Sequence, residues 1–389
     1  MSHRDWQTEE LRALRATTTE FVRREVLPHQ DDWEEAGELP RELHRTAGAL
    51  GLIGVSFPES AGGGGGGQRE SVTVGEALHE AGAAGGVYAS LFTAGIACPH
   101  IVTAGDQGQV DRWVAPTLAG EMIGALGITE PGGGSDVGAL RTTARRDGEH
   151  YVVNGSKTFI TSGVRADFVT TAVRTGGDEH KGARGLSLLV VERGTPGFEV
   201  SRRLGKMGWR CSDTAELSFT DARVPANHLV GPENAGFLLI GSAFLSERIG
   251  LAVQAYSQAQ RCLDLATEWC RERATFGQPL ISRQGVQTTL VEMARRIDVA
   301  RAYTRSVVDR YEDGESLVDL IPQVCFAKNT ATETGEWVAH QAVQLFGGTG
   351  YMLGSEVERQ YRDVRILGIG GGTVEILNDM AARRMGLVA

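Results

Sequence analysis

The sequence lacks the features that would place it in several large classes of proteins. Its five cysteines stand singly with no CxxC pair, so we expect small buried side chains rather than disulfides or a zinc site. The first residues lack the basic-then-apolar order of a signal peptide, and the longest apolar run, GFLLIGSAFL, is about half of a membrane span. We therefore expect a cytoplasmic protein with no membrane span.

An excess of positive charge and the common enzyme signatures are also missing. The 39 basic side chains are outnumbered by 49 acidic ones, and a formal net charge of −10 argues against broad binding of nucleic acid or anionic membranes. There is no GxSxG, GxxxxGK[ST] or HExxH motif. The run AGGGGGGQRE matches a dinucleotide-binding pattern only trivially. Because no strand precedes it, we predict a loop there.

The 389 residues divide into three regions of different character. Residues 1–121 show helical periodicity, and their Ala- and Gly-rich stretch from Ser71 to Ile101 predicts a buried helix pair. Residues 122–232 are rich in alternating and β-branched patterns, and DGEHYVVNGSKTFI contains the DG and NG pairs typical of hairpins. Residues 233–389 return to helical periodicity. The prediction is an α+β multidomain fold: an N-terminal helical domain, a middle β-barrel or sandwich, and a C-terminal four-helix bundle.

One glycine-rich segment carries polar groups that suit a ligand. GALGITEPGGGSDVGAL, residues 124–140, begins as a strand and then enters a glycine turn that contains Thr129 and Ser135. Exposed backbone amides beside hydroxyl groups suit a flat polar heterocycle or a phosphate. Taken alone, the segment is equally well explained as an ordinary turn.

The same segment is where the chain resembles a known family. GITEPGGGSDVGA is similar to the signature of the acyl-CoA dehydrogenases, and NGSKTFITSG, RATFGQPL and QLFGGTGY follow in that family's order. The closing VERQYRDVRILGIGGGT also resembles the family's C-terminal segment. The similarity therefore spans almost the whole chain, and the family's architecture has the same three domains, in the same order, as those predicted above.

The resemblance implies one FAD per subunit, between the β domain and the bundle. Thr129 and the backbone around Leu126 and Ile128 would face the pyrimidine edge of the flavin. Phe159 would stand against the ring, and Thr161 would hydrogen-bond near N5. The residues implied on this side of the cofactor are Leu126, Ile128, Thr129, Gly134, Ser135, Phe159, Ile160, Thr161, Thr373 and Glu375.

A second set of residues would reach the FAD from a neighbouring subunit. An arginine fork suits a pyrophosphate, and glycines let backbone amides approach it closely. The resemblance therefore implies a homo-oligomer, usually a tetramer built as a dimer of dimers. One departure is Gly354, where the family signature has an acidic residue or Asn. The second set comprises Arg273, Phe276, Gln284, Gln344, Leu345, Phe346, Gly347 and Gly348.

The position of the family's usual catalytic base holds a glycine. The implied reaction removes a weakly acidic proton from the α-carbon of an acyl thioester, which requires a positioned carboxylate and donors for the developing oxyanion. Many members carry that carboxylate as Glu in a Tyr-Glu-Gly-Thr sequence. This chain has Gly370, Gly371, Gly372 and Thr373 there. Gly371 cannot be the base, but its amide can still hold the thioester oxygen.

A carboxylate is available upstream in AFLSERIGLA. The isovaleryl-CoA and long-chain branches of the family carry their base at the start of the bundle, directly before an Arg, and Glu247–Arg248 occupies that place. Two carboxylates at one carbon would raise each other's pKa, so one is expected to be absent where the other is present. Read alone, the Glu-Arg pair could be an ordinary charged pair on a helix surface. With the glycine at 371, we predict Glu247 as the base, and Arg248 and Ser135 as substrate-binding residues.

The resemblance implies an FAD-dependent acyl-CoA dehydrogenase that passes electrons to electron-transfer flavoprotein. Three alternatives keep the same fold: a flavin oxidase or monooxygenase, a dehydrogenase of carrier-protein-bound acyl groups, and a flavin-binding scaffold without catalysis.

Overall fold

A computed structural model of the chain describes residues 5–177, 182–316 and 318–387. It contains an N-terminal helical domain, a middle β-sheet domain and a C-terminal helical domain, which confirms the predicted fold class. All five cysteines are buried and unpaired, as the sequence predicts.

The N-terminal domain begins with a capped helix. Thr8 accepts a hydrogen bond from the Leu11 amide, and π-helical turns at Val22–Val26 carry the helix on toward Pro28. The glycine run precedes α4 as a loop. The stretch from Ser71 to Ile101 is not one helix pair, because breaks after Glu80 divide it into α4 and three short helices. The helices are α1 Glu9–Phe21, α2 Gln30–Ala36, α3 Arg41–Ala49, α4 Gln68–Glu80, α5 Gly85–Leu91, α6 Ala94–Ala97, α7 Pro99–Ala104, α8 Gln107–Gln109 and α9 Ala115–Leu118.

The middle domain is one eight-stranded sheet. Its order is β6-β7-β3-β2-β4-β5-β8, with β1 parallel to β4. Strands β6, β7, β3 and β2 form one half of this sheet, and strands β1, β4, β5 and β8 form the other. The halves join at a single residue pair, Thr143 with Arg174, and their apolar faces share one core, as in a sandwich. The strands are β1 Gly124–Gly127, β2 Thr143–Asp147, β3 His150–Thr161, β4 Phe168–Arg174, β5 Leu186–Glu192, β6 Phe198–Arg203, β7 Thr214–Pro225 and β8 Leu229–Val230.

Only one of the two predicted hairpin signals forms a turn. Asp147 pairs with His150, so the DG pair connects β2 to β3. The NG pair lies inside β3, where the register against β7 shifts between Val153 and Gly155. One residue of β3, Asn154, lies opposite two residues of β7 there, so the extra residue of this β-bulge belongs to β7 and the NG pair makes no turn.

The C-terminal domain is built around a long central helix. Helix α10 packs on α4, α11 and α12, and α15 packs on α12. By length and hydropathy alone, α10 is long and apolar enough to cross a membrane. However, 44% of its most apolar 18-residue segment is buried inside the protein, and the helix packs on other helices as the central helix of a bundle does. The elements are α10 Gly236–Glu272, β9 Ala274–Thr275, β10 Gln278–Pro279, α11 Gln284–Glu312, α12 Ile321–Phe346, α13 Gly348–Tyr351, α14 Glu356–Val364 and α15 Val374–Arg384.

A buried ion cluster joins the N-terminal domain to this bundle. The Glu76 side chain of α4 is fully buried, pairs with Arg15 and Arg305, and accepts a hydrogen bond of 2.9 Å from the Tyr256 hydroxyl. Burial alone would raise the pKa of Glu76, but the neighbouring arginines hold that pKa below its usual value. The cluster therefore keeps a carboxylate between α1, α4, α10 and α11.

Replacing Glu76 by Gln is expected to destabilise the protein by about 3 kcal/mol, because the partly buried Arg305 guanidinium loses the carboxylate it pairs with and Arg15 is left with Glu80. Urea unfolding of the FAD-loaded protein measures the loss. Glu292→Gln is the matched control, because Glu292 pairs with Arg295 and Arg296 at the surface and should change stability little. Equal stability of both variants would contradict a structural role for the Glu76 cluster.

Candidate active site

Glu247 faces a cavity at the junction of the three domains. Helix α10 begins at Gly236, so Glu247 lies in the interior of the helix rather than at its opening, contrary to the sequence-based expectation. Its side chain lines a cavity of about 420 Å³, and among the described residues its Oε2 atom is enclosed without a hydrogen-bond partner. Burial raises the pKa of Glu247, and Arg248 and Lys328 partly oppose that rise. A desolvated carboxylate of this kind is suited to taking up a proton.

The glycine loop at 370–372 is fixed beside Glu247 by two cations. Arg248 Nε donates to the Gly371 carbonyl at 3.0 Å, and Lys328 Nζ donates to the Gly372 carbonyl at 2.6 Å. Both cations are buried. Charge-assisted hydrogen bonds are stronger than neutral ones, so the backbone of this loop is held firmly.

Leu251 provides the steric reason for the glycine at 371. A Cβ atom there would overlap Leu251 Cδ1 and would lie 3.6 Å from Glu247 Oε1, and the residue has a left-handed φ of +63°. The space that a side chain at 371 would fill is taken mainly by Leu251 rather than by Glu247. Glycine at 371 is needed for packing and for backbone conformation.

Two cavities bring together several of the predicted residues. Thr161, at the end of β3, lines the same cavity as Glu247. A second cavity, of about 890 Å³, lies between the glycine turn of the β domain and helices α10 and α15. It is lined by Gly134, Ser135, Arg248 and Gly372, so the two predicted substrate-binding residues share it.

A buried ion pair holds the turn after β1. Lys157 Nζ donates to the Ile128 carbonyl at 3.0 Å and to Glu130 Oε1 at 2.9 Å. The Thr158 amide donates to the Thr129 carbonyl at 2.8 Å, which ties the turn to β3. Leu126 is partly buried against the core. Sequence reasoning missed Lys157 and Glu130, although a lysine inside a β-branched run is a visible signal.

Other predicted residues on this side differ in what they can offer a cofactor. Phe159 is 69% exposed on a left-handed backbone with φ of 60°. Ile160 is buried in the sheet core, so only its backbone can face a ligand. Thr373 caps α15 by accepting from the Ile376 amide at 3.4 Å, and Glu375 is exposed in the first turn of that helix.

The second predicted set lies at the far end of the bundle. Trp269 Nε1 donates to the Leu345 carbonyl at 3.2 Å, and the Trp269 ring stacks on Phe346 at 4.7 Å. Residues 344–348 therefore sit beside the end of α10, which Arg273 follows. From Glu247 to Arg273 the helix rises by about 39 Å. A single chain does not bring the two predicted sets together.

The rest of this far end is open to solvent. Phe276 is 99% exposed on the β9–β10 turn, and Gln284 begins α11 in an exposed position. Gly347 has a positive φ of 63° and Gly348 is exposed. Gly354 has a left-handed φ of +88° in an exposed turn, with no atom of the described residues within 4 Å of a Cβ position, so glycine suits this departure from the family signature.

These residues fit a flavin dinucleotide. Aromatic rings are normally buried, yet Phe159 and Phe276 are left exposed on strained backbone at the two predicted ends of the site. The turn after β1 contains hydroxyl groups and backbone polar groups at Thr129 and Ser135 that can hydrogen-bond to a ligand. The Thr161 position joins this surface to the cavity of Glu247.

Lys328 is a functional candidate that sequence reasoning missed. It is a lysine within the apolar run PQVCFAK, and burial lowers its pKa to about 8, with Glu247 opposing that change. Replacing Lys328 by Met is expected to raise the pKa of Glu247 further, because an opposing positive charge is lost. Glu247 must be deprotonated to act as a base, so the rate of flavin reduction falls as pH drops through the pKa of Glu247. The acid limb of the pH–rate profile should therefore move to higher pH.

The measurement is the pH dependence of anaerobic flavin reduction by an acyl-CoA. Lys328→Arg keeps the positive charge and should leave the midpoint of the acid limb in place. An unchanged midpoint in the Met variant would show that Lys328 has no electrostatic influence on the base.

All three domains match one family in sequence. Residues 8–121, 125–222 and 234–386 match the N-terminal, middle and C-terminal domains of acyl-CoA dehydrogenase. The chain is 36% identical over 376 residues to the mitochondrial long-chain specific acyl-CoA dehydrogenase of Mus musculus, covering 96% of this chain and 85% of that protein. A crystal structure from Mycobacterium smegmatis, ascribed to an acyl-CoA dehydrogenase, superposes with a TM-score of 0.97 at 66% identity, covering 99% and 100% of the two chains.

Two further solved structures are similar over nearly their whole length. One is a glutaryl-CoA dehydrogenase from Mycobacterium smegmatis in complex with FADH2, with 26% identity, a TM-score of 0.90 and coverage of 99% and 96%. The other is described as the electron transferring flavoprotein of Acidaminococcus fermentans, with 31% identity, a TM-score of 0.93 and coverage of 99% of both chains. The cofactor is FAD, and the chain belongs to the acyl-CoA dehydrogenase family of oxidoreductases.

Proposed function

We propose that the protein oxidises an acyl-CoA thioester to the trans-2-enoyl-CoA, with Glu247 as the base that removes the α-proton. The observation that carries this proposal is the enclosed, unpartnered Oε2 atom of Glu247 in the cavity that Thr161 also lines. When bound, FAD accepts the hydride that leaves the β-carbon. Glu247 Oε1 lies 3.6 Å from a Cβ position on Gly371, so the carboxylate is beside the glycine loop.

The glycine loop holds the thioester carbonyl in this proposal. The Gly371 amide donates to the oxygen as it gains negative charge, and Arg248 and Lys328 keep the loop in place through the carbonyls of Gly371 and Gly372. The CoA arm passes through the larger cavity, beside Ser135 and Arg248. The residues that would hold FAD are those around Thr129, Phe159 and Thr161.

Two subunits would complete each FAD site. The separation of about 39 Å along α10 between Glu247 and Arg273 supports this, because residues 273–284 and 344–348 of one chain are then free to serve its neighbour. A homotetramer in the cytoplasm is the proposed form. Electron-transfer flavoprotein is the proposed electron acceptor, supported by the similarity to a chain from the flavoprotein structure of Acidaminococcus fermentans.

The test is the visible spectrum of the purified protein during anaerobic addition of short, branched, medium and long acyl-CoAs. Bleaching of the flavin by one class supports the proposal. Rapid reoxidation of the reduced flavin by air would favour an oxidase or monooxygenase. Bleaching only by a carrier-protein thioester would favour the carrier-bound alternative, and a flavin that stays oxidised with every thioester would favour a scaffold without catalysis.

A further inference from the structure

The cavity that begins at Glu247 has polar side chains along its length. Beyond the reacting end it is bounded by apolar residues of α4, α5 and α7, but several hydrogen-bonding side chains interrupt them. These polar lining residues include Gln68, Ser71, Tyr88, Thr93, Thr103, Gln254 and Tyr311. A cavity that binds only an alkyl chain is not expected to contain such groups, because a buried polar group without a hydrogen-bond partner costs free energy.

Gln254 is the most informative of these residues. It is seven residues after Glu247 on α10, so the two side chains lie on the same face and about 10.5 Å apart along the helix axis. Because Glu and Gln have the same length, their end groups have the same reach into the cavity. Gln254 therefore marks a point two helix turns beyond the reacting carbons.

The Gln254 amide is buried without a partner for its oxygen. The residue is 4% exposed and lines the cavity, and its Oε1 atom has no hydrogen-bond partner among the described residues. The oxygen and nitrogen of an amide can exchange places by a half turn of the side chain. In either orientation the amide can present a donor or an acceptor to a ligand in the cavity.

Tyr88 supplies a second polar group, its hydroxyl, between Glu247 and Gln254. A Cβ added to Gly250 would lie 3.6 Å from the Tyr88 hydroxyl, so the hydroxyl lies beside α10. Tyr88 stacks on Phe92 at 4.7 Å, which fixes its ring. Burial raises the pKa of Tyr88 to about 12, so the phenol stays protonated and can donate at neutral pH.

We propose that the preferred substrate is a thioester whose acyl chain carries an oxygen function, such as a hydroxyl, oxo or ether group, that hydrogen-bonds to Gln254. An extended chain advances about 1.2 Å per bond, so 10.5 Å places this group about eight or nine bonds beyond the α-carbon. Gln254 is then a specificity-determining residue. This inference rests on the proposed function, because it describes the same cavity.

The test compares two thioesters that differ by one oxygen, dodecanoyl-CoA and 10-hydroxydodecanoyl-CoA, in anaerobic reduction of the bound flavin. The wild-type protein should show a kcat/KM about tenfold or more higher for the hydroxylated chain. Gln254→Leu should remove that preference and improve the reaction of the unsubstituted chain. Gln258→Leu is the matched control: Gln258 lies one turn further on the same helix, is fully buried and is not among the residues lining the cavity, so the preference should persist.

Equal kcat/KM for the two thioesters in the wild-type protein would overturn the inference while leaving the proposed function intact. A Gln254→Leu variant that keeps the wild-type preference would also overturn it. If neither these thioesters nor any other acyl-CoA bleaches the flavin, the proposed function itself fails. The wild-type comparison does not depend on the folding of any variant.

Discussion

Replacing Glu247 by Gln is expected to lower the rate of flavin reduction by acyl-CoA by about a hundredfold or more, while the protein keeps its yellow FAD. Gln has nearly the same shape as Glu but cannot accept the α-proton. The side chain is enclosed in the cavity, and the variant removes a carboxylate whose pKa burial already raises. Folding should therefore be retained. Rapid-mixing spectroscopy under anaerobic conditions, with a substrate that bleaches the wild-type flavin, gives the rate.

The matched control for this change is Glu272→Gln. Glu272 ends the same helix in an exposed position, far from the cavity, so its replacement should leave the rate unchanged. Flavin content and the wavelength of the flavin band show whether each variant still holds the cofactor. Near-normal reduction by the Glu247 variant would mean that another group removes the proton.

The sequence predicts the partners at the reacting end of the site but not their packing. Glu247 and Gly371 follow from residue-by-residue comparison with a known pattern, and the structure brings both to one place. Lys328 and Leu251 were missed because their roles depend on how α10 and α12 pack against the loop at 370–372. Gln254 left a weak signal, its seven-residue spacing from Glu247, which gains meaning only when a cavity is seen along that face of α10.

The fold was predictable at the level of domains and less so in detail. Helical and β periodicities mark the three domains because the apolar faces must alternate with the period of each element. The NG pair was misleading, since it lies within β3 opposite a bulge of β7, and no local signal announces that long-range pairing. The stretch from Ser71 to Ile101 breaks after α4, where Gly82 adopts a φ of 100°, and the close contacts of Gly85 and Gly86 with Trp209 at the start of α5 could not be read from the sequence.

Gly371→Ala is expected to lower kcat by up to about a hundredfold, with FAD still bound, even though it adds a single methyl group. That methyl group overlaps Leu251 and lies on a left-handed backbone, so either the loop or Leu251 must move. Either movement displaces the Gly371 amide from the thioester oxygen or displaces Glu247 from the α-carbon. A displacement of about 1 Å at a reacting centre is enough for a loss of this size.

A second substitution separates steric overlap from the loss of backbone freedom. Leu251→Ala removes the atom that the new methyl group would meet, so the double variant should recover about tenfold of the lost kcat if overlap is the main cause. Gly370→Ala is the control, because among the described residues a Cβ there would meet only the Ile366 carbonyl, at an ordinary 3.6 Å, and this variant should react normally. If Gly371→Ala alone reacts as fast as the wild-type protein, the exact position of this loop does not limit the reaction. If the double variant is as slow as Gly371→Ala, the left-handed conformation of residue 371, and not its contact with Leu251, is what requires glycine.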